Sequence, residues 1–152
     1  MKQMIFGEKL KDKEYTDRIG AYGLIFQNHK IAVIKLPVGY FLPGGGVEKG
    51  ESHEQCLKRE FMEELGCTIN IKDFVCIGSS YHFGRRFNKY IHSIGNFYLA
   101  DSLKKVSEPT ERDHQLVWLN VEEAHNKMFL DHQAWAIKQG YIFLKNLNNN
   151  KN

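Results

Sequence analysis

No run of apolar residues in this chain is long enough to span a membrane. The opening stretch, MKQMIFGEKLKDKEY, lacks the apolar core of a signal peptide. Cysteine is sparse: Cys56, Cys67 and Cys76 are an odd number without CxxC spacing, which argues against a disulfide framework and for buried small hydrophobes. Free thiols suit a reducing compartment, so a cytoplasmic location is expected. Charge of one sign is also in short supply. A net +3 is compatible with an anionic small-molecule substrate and is too little to argue for a nucleic-acid surface. There is no internal repeat, no linker composition and no HxxxH metal pair among the seven histidines.

What is present is an ordinary globular balance over 152 residues, 42% hydrophobic and 26% charged. That length predicts one domain, over 1–145, followed by a disordered polar tail at 146–152. Met4–Phe6 reads as an edge strand. RIGAYGLIF (Arg18–Phe26) and Ile31–Leu36 read as two strands of a hairpin, with a polar turn between them. Tyr40–Leu42 is a short strand leading to Pro43 and three glycines. Further strands are expected at Cys67–Ile71, Phe74–Ser80, Tyr90–Ala100 and Leu116–Leu119. The stretch YHFGRRFNKY (Tyr81–Tyr90) reads as a hairpin loop with its flanks, and Asp101–His114 as a loop. Asn120 with Glu123 predicts a capped helix to about Lys127, and Asp131 begins a third helix with Ala134, Ile137 and Tyr141 on its apolar side. Strands mixed with helices in this order predict a layered α/β domain.

The chemistry concentrates in Gly45–Cys67, GGVEKGESHEQCLKREFMEELGC. Ser52 and Gln55 form a capping-box pattern, so a helix should start there. Leu57, Phe61 and Leu65 recur at i+4 and predict a buried stripe, with Glu60 and Glu64 beside it and Glu63 further round. Acidic side chains at i, i+3 and i+4 repel one another. Exposure to water relieves that repulsion, and so does a hard divalent cation such as Mg²⁺. Gly66 is a natural helix stop.

The spacing of Gly45, Glu51, Arg59, Glu60, Glu63, Glu64 and Gly66, with apolar Phe61 between, resembles the Nudix box. Seven residue types at about one in fifteen each make chance agreement at one start point on the order of 10⁻⁸. Cys67 departs from the family's usual Ile, Leu or Val, and cysteine keeps the apolar character of the position. The resemblance implies an α/β/α sandwich with a mixed β-sheet, the box forming a loop–helix–loop. It implies a pyrophosphohydrolase using Mg²⁺, or Mn²⁺, on a nucleoside diphosphate linked to another group. Glu60 and Glu64 resemble the family's metal ligands, Glu63 a helper or base, and Gly45 a carbonyl ligand. Arg59 and Glu51 resemble its salt bridge between loop and helix.

Outside the box, a later carboxylate is expected from Glu108, Glu111 or Asp113, with Asp113 and Glu111 preferred. Tyr81, Phe83, Arg85 and Arg86, with Phe87, are candidates to stack on a base and hold phosphates, and His82, His92 and His114 to touch substrate. The proline that accompanies ADP-ribose activity in some members is missing near Tyr81–Phe83. Nucleoside triphosphates, oxidised ones included, are the expected substrates. ADP-ribose, nucleotide sugars and dinucleoside polyphosphates are the alternatives. A catalytically silent ligand-binding module is the rival class, and it is disfavoured because every box glutamate is kept. The partner expected is a nucleotide-type small molecule, not a nucleic acid or a membrane; a homodimer is left open.

Overall fold

The computed structural model describes residues 2–150. Two sheets carry the fold. The first has five strands in the order β1 (Lys2–Phe6), β7 (Cys67–Gly84), β8 (Lys89–Lys105), β2 (Thr16–Leu24) and β6 (Gly44–Gly46). The second contains β3 (Phe26–Gln27), β4 (Lys30–Leu36) and β5 (Gly39–Phe41), with β9 (Gln115–Asn120) on the other side of β4. Both parallel and antiparallel pairs occur in the first sheet, so it is mixed. The helices are α1 (His53–Leu65), α2 (Val121–Lys127) and α3 (Asp131–Asn150). None of the described helices is long and apolar enough to cross a membrane.

The layering follows from alternation along the strands. On β4, Ile31 and Val33 join one apolar cluster while Ala32 and Ile34 join another, because successive side chains point to opposite faces. The first cluster packs under Ala124 of α2 and Ala136 and Ile137 of α3; the second packs under Cys56, Leu57, Phe61 and Leu65 of α1. Helices therefore cover both faces, giving the α/β/α sandwich. All three cysteines are buried and unpaired.

Several expected boundaries move. The hairpin is tighter than expected and pairs Phe26–Gln27 with Lys30–Ile31. Its two turn residues, Asn28 and His29, have φ of 50° and 64°, the geometry that matches strand twist. The stretch expected to pair with Ile31–Leu36 instead stays in the other sheet as β2. Cys67–Ile71, Phe74–Ser80 and the flank of the expected loop merge into one strand, β7, because the nearly equally long β8 pairs with it from end to end. The breaker at Lys72–Asp73 survives only as a register irregularity between Ile71 and Phe74. Likewise β8 runs on to Lys105, which shortens the expected loop. Asn120 does precede α2, yet its side chain makes no cap bond; its amide lies 3.5 Å from a Glu123 carboxylate oxygen instead. The tail expected to lack structure from residue 146 is helical to Asn150, since Leu144 and Leu147 pack against the core and carry the last turns; residues 151–152 lie outside the described residues.

Candidate active site

The site begins with the way α1 is set on the glycine strand. Both arms of the capping box form: Gln55 N–H donates to Ser52 Oγ at 3.1 Å, and Ser52 N–H to Gln55 Oε1 at 2.9 Å. Phe61 and Leu57 are fully buried, and Glu60 and Glu64 stand along the edge of this stripe with Glu63 further round. The β6 strand alternates as any strand does. A Cβ on Gly46 would lie 3.3 Å from Arg18 Nη2, on one side of the strand, whereas a Cβ on Gly45 would lie 2.5 Å from the Glu60 carboxylate, on the other. Only glycine at 45 lets Glu60 come this close.

Arg59 ties the loop to the helix. Its Nε and Nη2 donate to the two oxygens of Glu51 at 2.7 and 2.9 Å, a bidentate pair, and Nη2 also donates to the Gly46 carbonyl at 3.0 Å. Its Nη1 reaches Glu60 at 2.9 Å and Glu63 at 3.2 Å. The Arg59 bonds to Glu51, with one from Glu48 N–H, hold the Glu51 carboxyl down at about 2.

Glu64 is the most enclosed acid, only 6% exposed. It accepts from Gly44 N–H at 2.8 Å, and its other oxygen lies 3.0 Å from His114 Nδ1. Burial pushes its pKa up to about 9 against the Gly44 hydrogen bond, and the charges of Glu60, Glu111 and Glu63 push the same way. Burial also raises Glu60, opposed by Arg59. His114 Nε2 in turn lies 2.9 Å from Glu111.

Glu111 arrives from the loop between β8 and β9, and the end of α1 is what holds that loop. The Glu63 carbonyl, in the last helical turn, accepts from the N–H groups of Thr110 and Glu111, both at 3.0 Å, and the Gly66 carbonyl accepts from Val106 and Ser107. Gly66 has φ 65°, and any Cβ there would run into the Ser107 carbonyl oxygen. Two groups of ligand-type atoms result, Glu60–Glu63–Glu111 and Glu64–Glu111–His114, each within 4.8 Å. Four carboxylates thus crowd around one guanidinium and one imidazole. Oxygen-rich, short of positive charge and rimmed by backbone carbonyls, this donor set fits a hard divalent cation.

On the other side of β6 opens a cavity of about 1000 Å³. Its floor is one face of the five-stranded sheet. Register places Arg18, Ser93 and Ser80 on one rung, Gly20, Gly95 and Gly78 on the next, and Tyr22, Phe97 and Cys76 beyond. The glycine rung leaves room for His132 and Trp135 of α3 to lie over it. Val38, Phe41 and Phe129 supply an apolar wall, and Phe83, Arg85, Arg86 and Phe87 come from the β7–β8 tip.

Of the residues singled out in the sequence, Glu60, Glu63, Glu64, Gly45, Arg59, Glu51 and Gly66 come together as described. Phe83, Arg85, Arg86 and His82 line the cavity. Tyr81 does not. It alternates to the opposite face of the sheet and stacks on His92 at 4.1 Å between ring centres, away from the cavity. Between the two later carboxylates, Glu111 joins the cluster; Asp113 is exposed and belongs to neither group, because the backbone bonds to Glu63 hold the loop at residues 110 and 111. Glu108 is exposed and lies 3.5 Å from Lys105. Arg18 and Tyr22 were missed, since β2 reads only as an apolar strand until its register against β6 is known. His114 carried no metal-pair spacing, because its partner Glu64 stands 50 residues earlier.

A family profile described as NUDIX domain matches residues 16–140. Solved structures share the fold. A MutT NUDIX hydrolase from Burkholderia pseudomallei aligns with a TM-score of 0.62 at 23% identity, covering 82% of this chain and 98% of that one. A NUDIX hydrolase from Nitrosomonas europaea aligns at 0.64 with 17% identity, covering 84% and 90%. A UDP-X diphosphatase aligns at 0.56 with 16% identity, covering 88% and 68%. The sandwich and its acidic helix thus define the class of the Nudix hydrolases. The chain belongs to the NUDIX family.

Proposed function

We propose that this chain is a divalent-cation-dependent pyrophosphohydrolase, with Mg²⁺ or Mn²⁺ as the cation. Its substrate is a nucleoside diphosphate linked to another group, a nucleoside triphosphate first among the candidates. The observation that carries the reading is the pair of ligand groups sharing Glu111, packed against a strand of glycine. Glu60 and Glu64 are the principal ligands in this reading, with Glu63 and Glu111 completing the set and the Gly45 carbonyl beside them. When bound, a divalent cation neutralises phosphate charge and lowers the pKa of its water.

The chain's own residues do the rest. Gly44 N–H fixes one oxygen of Glu64. Arg59, held by Glu51, orients Glu60 and Glu63 from one nitrogen. Of the three α1 glutamates in the cluster, Glu63 has the most exposed carboxylate, 38%, and is the one open to take a proton from water. The cavity beyond β6 is large enough for a nucleoside, with aromatic and apolar walls.

The test is turnover of a panel of nucleoside triphosphates, oxidised triphosphates, ADP-ribose, nucleotide sugars and dinucleoside polyphosphates, with Mg²⁺, with Mn²⁺ and with chelator. Cleavage of at least one substrate only when metal is present supports the reading. Full activity in chelator removes the metal mechanism, and tight binding of a nucleotide without cleavage of any makes the chain a silent binding module.

A further inference from the structure

The cavity's positive charge is arranged in an unusual way. The Arg18 guanidinium lies 4.3 Å from the centre of the Phe87 ring, and that of Arg86 lies 5.5 Å from the same ring. Two cations share one aromatic side chain. Neither they nor Arg85 has a carboxylate within ion-pair distance among the described residues. Like charges gathered at one ring repel, and an anion bound near both would relieve that repulsion. The cavity lining contains three arginines and a single carboxylate, Asp131, which is exposed.

Position gives this cluster a purpose. Arg18 Nη2 stands beside Gly46, whose carbonyl is held from the other direction by Arg59. A strand without side chains is all that divides Arg18 from the α1 carboxylates. Arg18 stands beside this strand at Gly46, and Arg86 is joined to it through the shared Phe87 ring.

We propose that Arg18 and Arg86, mounted on the ring of Phe87, form an anion clamp that binds the phosphate chain of the substrate. Phe87 supports the clamp and is not a platform for a base. The proposal rests on the pyrophosphohydrolase reading above and names the part of that site that grips the phosphates. Of the two roles expected for the β7–β8 tip, base stacking and phosphate holding, it keeps the second and adds Arg18 to it. Its chemistry is that of guanidinium forks, each presenting two parallel N–H donors to phosphate oxygens.

The experiment uses inorganic pyrophosphate as the probe, titrated calorimetrically into the full chain in Mg²⁺ and again in chelator, with adenosine and guanosine as phosphate-free controls. Arg18→Gln should weaken pyrophosphate binding by about tenfold or more. Arg86→Gln and Phe87→Ala should each weaken it by about threefold, and Phe87→Tyr, which keeps the ring face, should restore it. Nucleoside affinity should not move in any variant. All three side chains are exposed, so melting temperatures should stay with the wild type. Pyrophosphate affinity unchanged in Arg18→Gln overturns the proposal. So does a Phe87→Ala variant that loses nucleoside and pyrophosphate affinity by the same factor, because the ring then serves the base. Failure of the wild type to cleave any substrate would count against the hydrolase reading and would leave this binding result standing.

Discussion

The two sides of the glycine strand carry opposite charge. Toward α1 stand Glu60, Glu63, Glu64 and Glu111, held at one wall of a crevice by Arg59 and His114. Toward the cavity stand Arg18, Arg85 and Arg86. Neither side is balanced alone. In the proposed reading, a metal-bound polyphosphate along the strand would balance both, its cation held by the carboxylates and its phosphates by the guanidiniums. The glycines matter because they make the partition thin, and Gly45 in particular leaves the space that Glu60 fills.

The difference can be broken first at its foundation. Phe61 fixes the α1 side: its ring is fully buried and stands where a Cβ on Gly23 would come within 2.7 Å of it. Phe61→Ala should cost about 3–5 kcal/mol of stability, read as a fall in denaturation midpoint at unchanged m-value. The cavity side has its own foundation in His132, 1% exposed, with Nδ1 lacking any partner and burial pushing its pKa down to about 4. A histidine whose folded pKa is depressed contributes stability above its unfolded pKa and loses it as pH falls. The stability that His132 contributes, read as the difference between wild type and His132→Gln, should therefore be level above pH 6.5 and shrink between about 6.5 and 4, the loss reaching about 3 kcal/mol at the acid end. Glu64, with its pKa raised to about 9, acts in the opposite sense and lowers the stability of both proteins alike as pH rises, so the difference isolates His132; a difference that does not change with pH would contradict this role.

Smaller effects separate the residues within the cluster. Arg59→Lys keeps the charge but loses the fork that grips both oxygens of Glu51. It should lower kcat about tenfold and alter KM little, measured by steady-state kinetics on the best substrate in the panel. Glu111→Gln and Asp113→Asn sharpen the contrast between two acids two residues apart. The first should lower activity and weaken Mn²⁺ binding, read by the paramagnetic signal of free Mn²⁺. The second should change neither, since Asp113 is exposed and outside both ligand groups.

The two sides also differ in how openly the sequence displays them. The carboxylates, their apolar stripe and the capping box all lie within one helix, where i+3 and i+4 spacing places side chains without reference to the rest of the fold. The Arg59–Glu51 pair joins residues eight apart, with Glu51 ahead of the helix, and was legible only through the resemblance to the box. The cavity is assembled from β2, the β7–β8 tip, the turn after β4 and the start of α3. Its membership depends on strand register, and a one-residue shift sends a side chain to the opposite face. This is why Tyr81 was expected at the substrate and lies behind the sheet, while Arg18 passed unremarked in an apolar strand. Glu111 and His114 fall between these cases. Their loop is acidic and was noticed, yet the choice between Glu111 and Asp113 was made by hydrogen bonds to one helix-end carbonyl.

Glu64 offers the most direct test of the central claim, that the α1 cluster holds the catalytic cation. In Glu64→Gln the size of the side chain is kept and its ability to ionise as a cation ligand is removed. kcat and melting temperature should be measured with and without Mg²⁺, beside Glu48→Gln, which lies in the same loop–helix segment with 69% of its side chain exposed. The account expects Glu64→Gln to lose about a hundredfold or more in kcat, to melt no lower than wild type without Mg²⁺, and to lose the stabilisation that Mg²⁺ gives the wild type. Glu48→Gln should behave as wild type. A Glu64→Gln enzyme with near-normal kcat and an undiminished Mg²⁺-induced rise in melting temperature would contradict it.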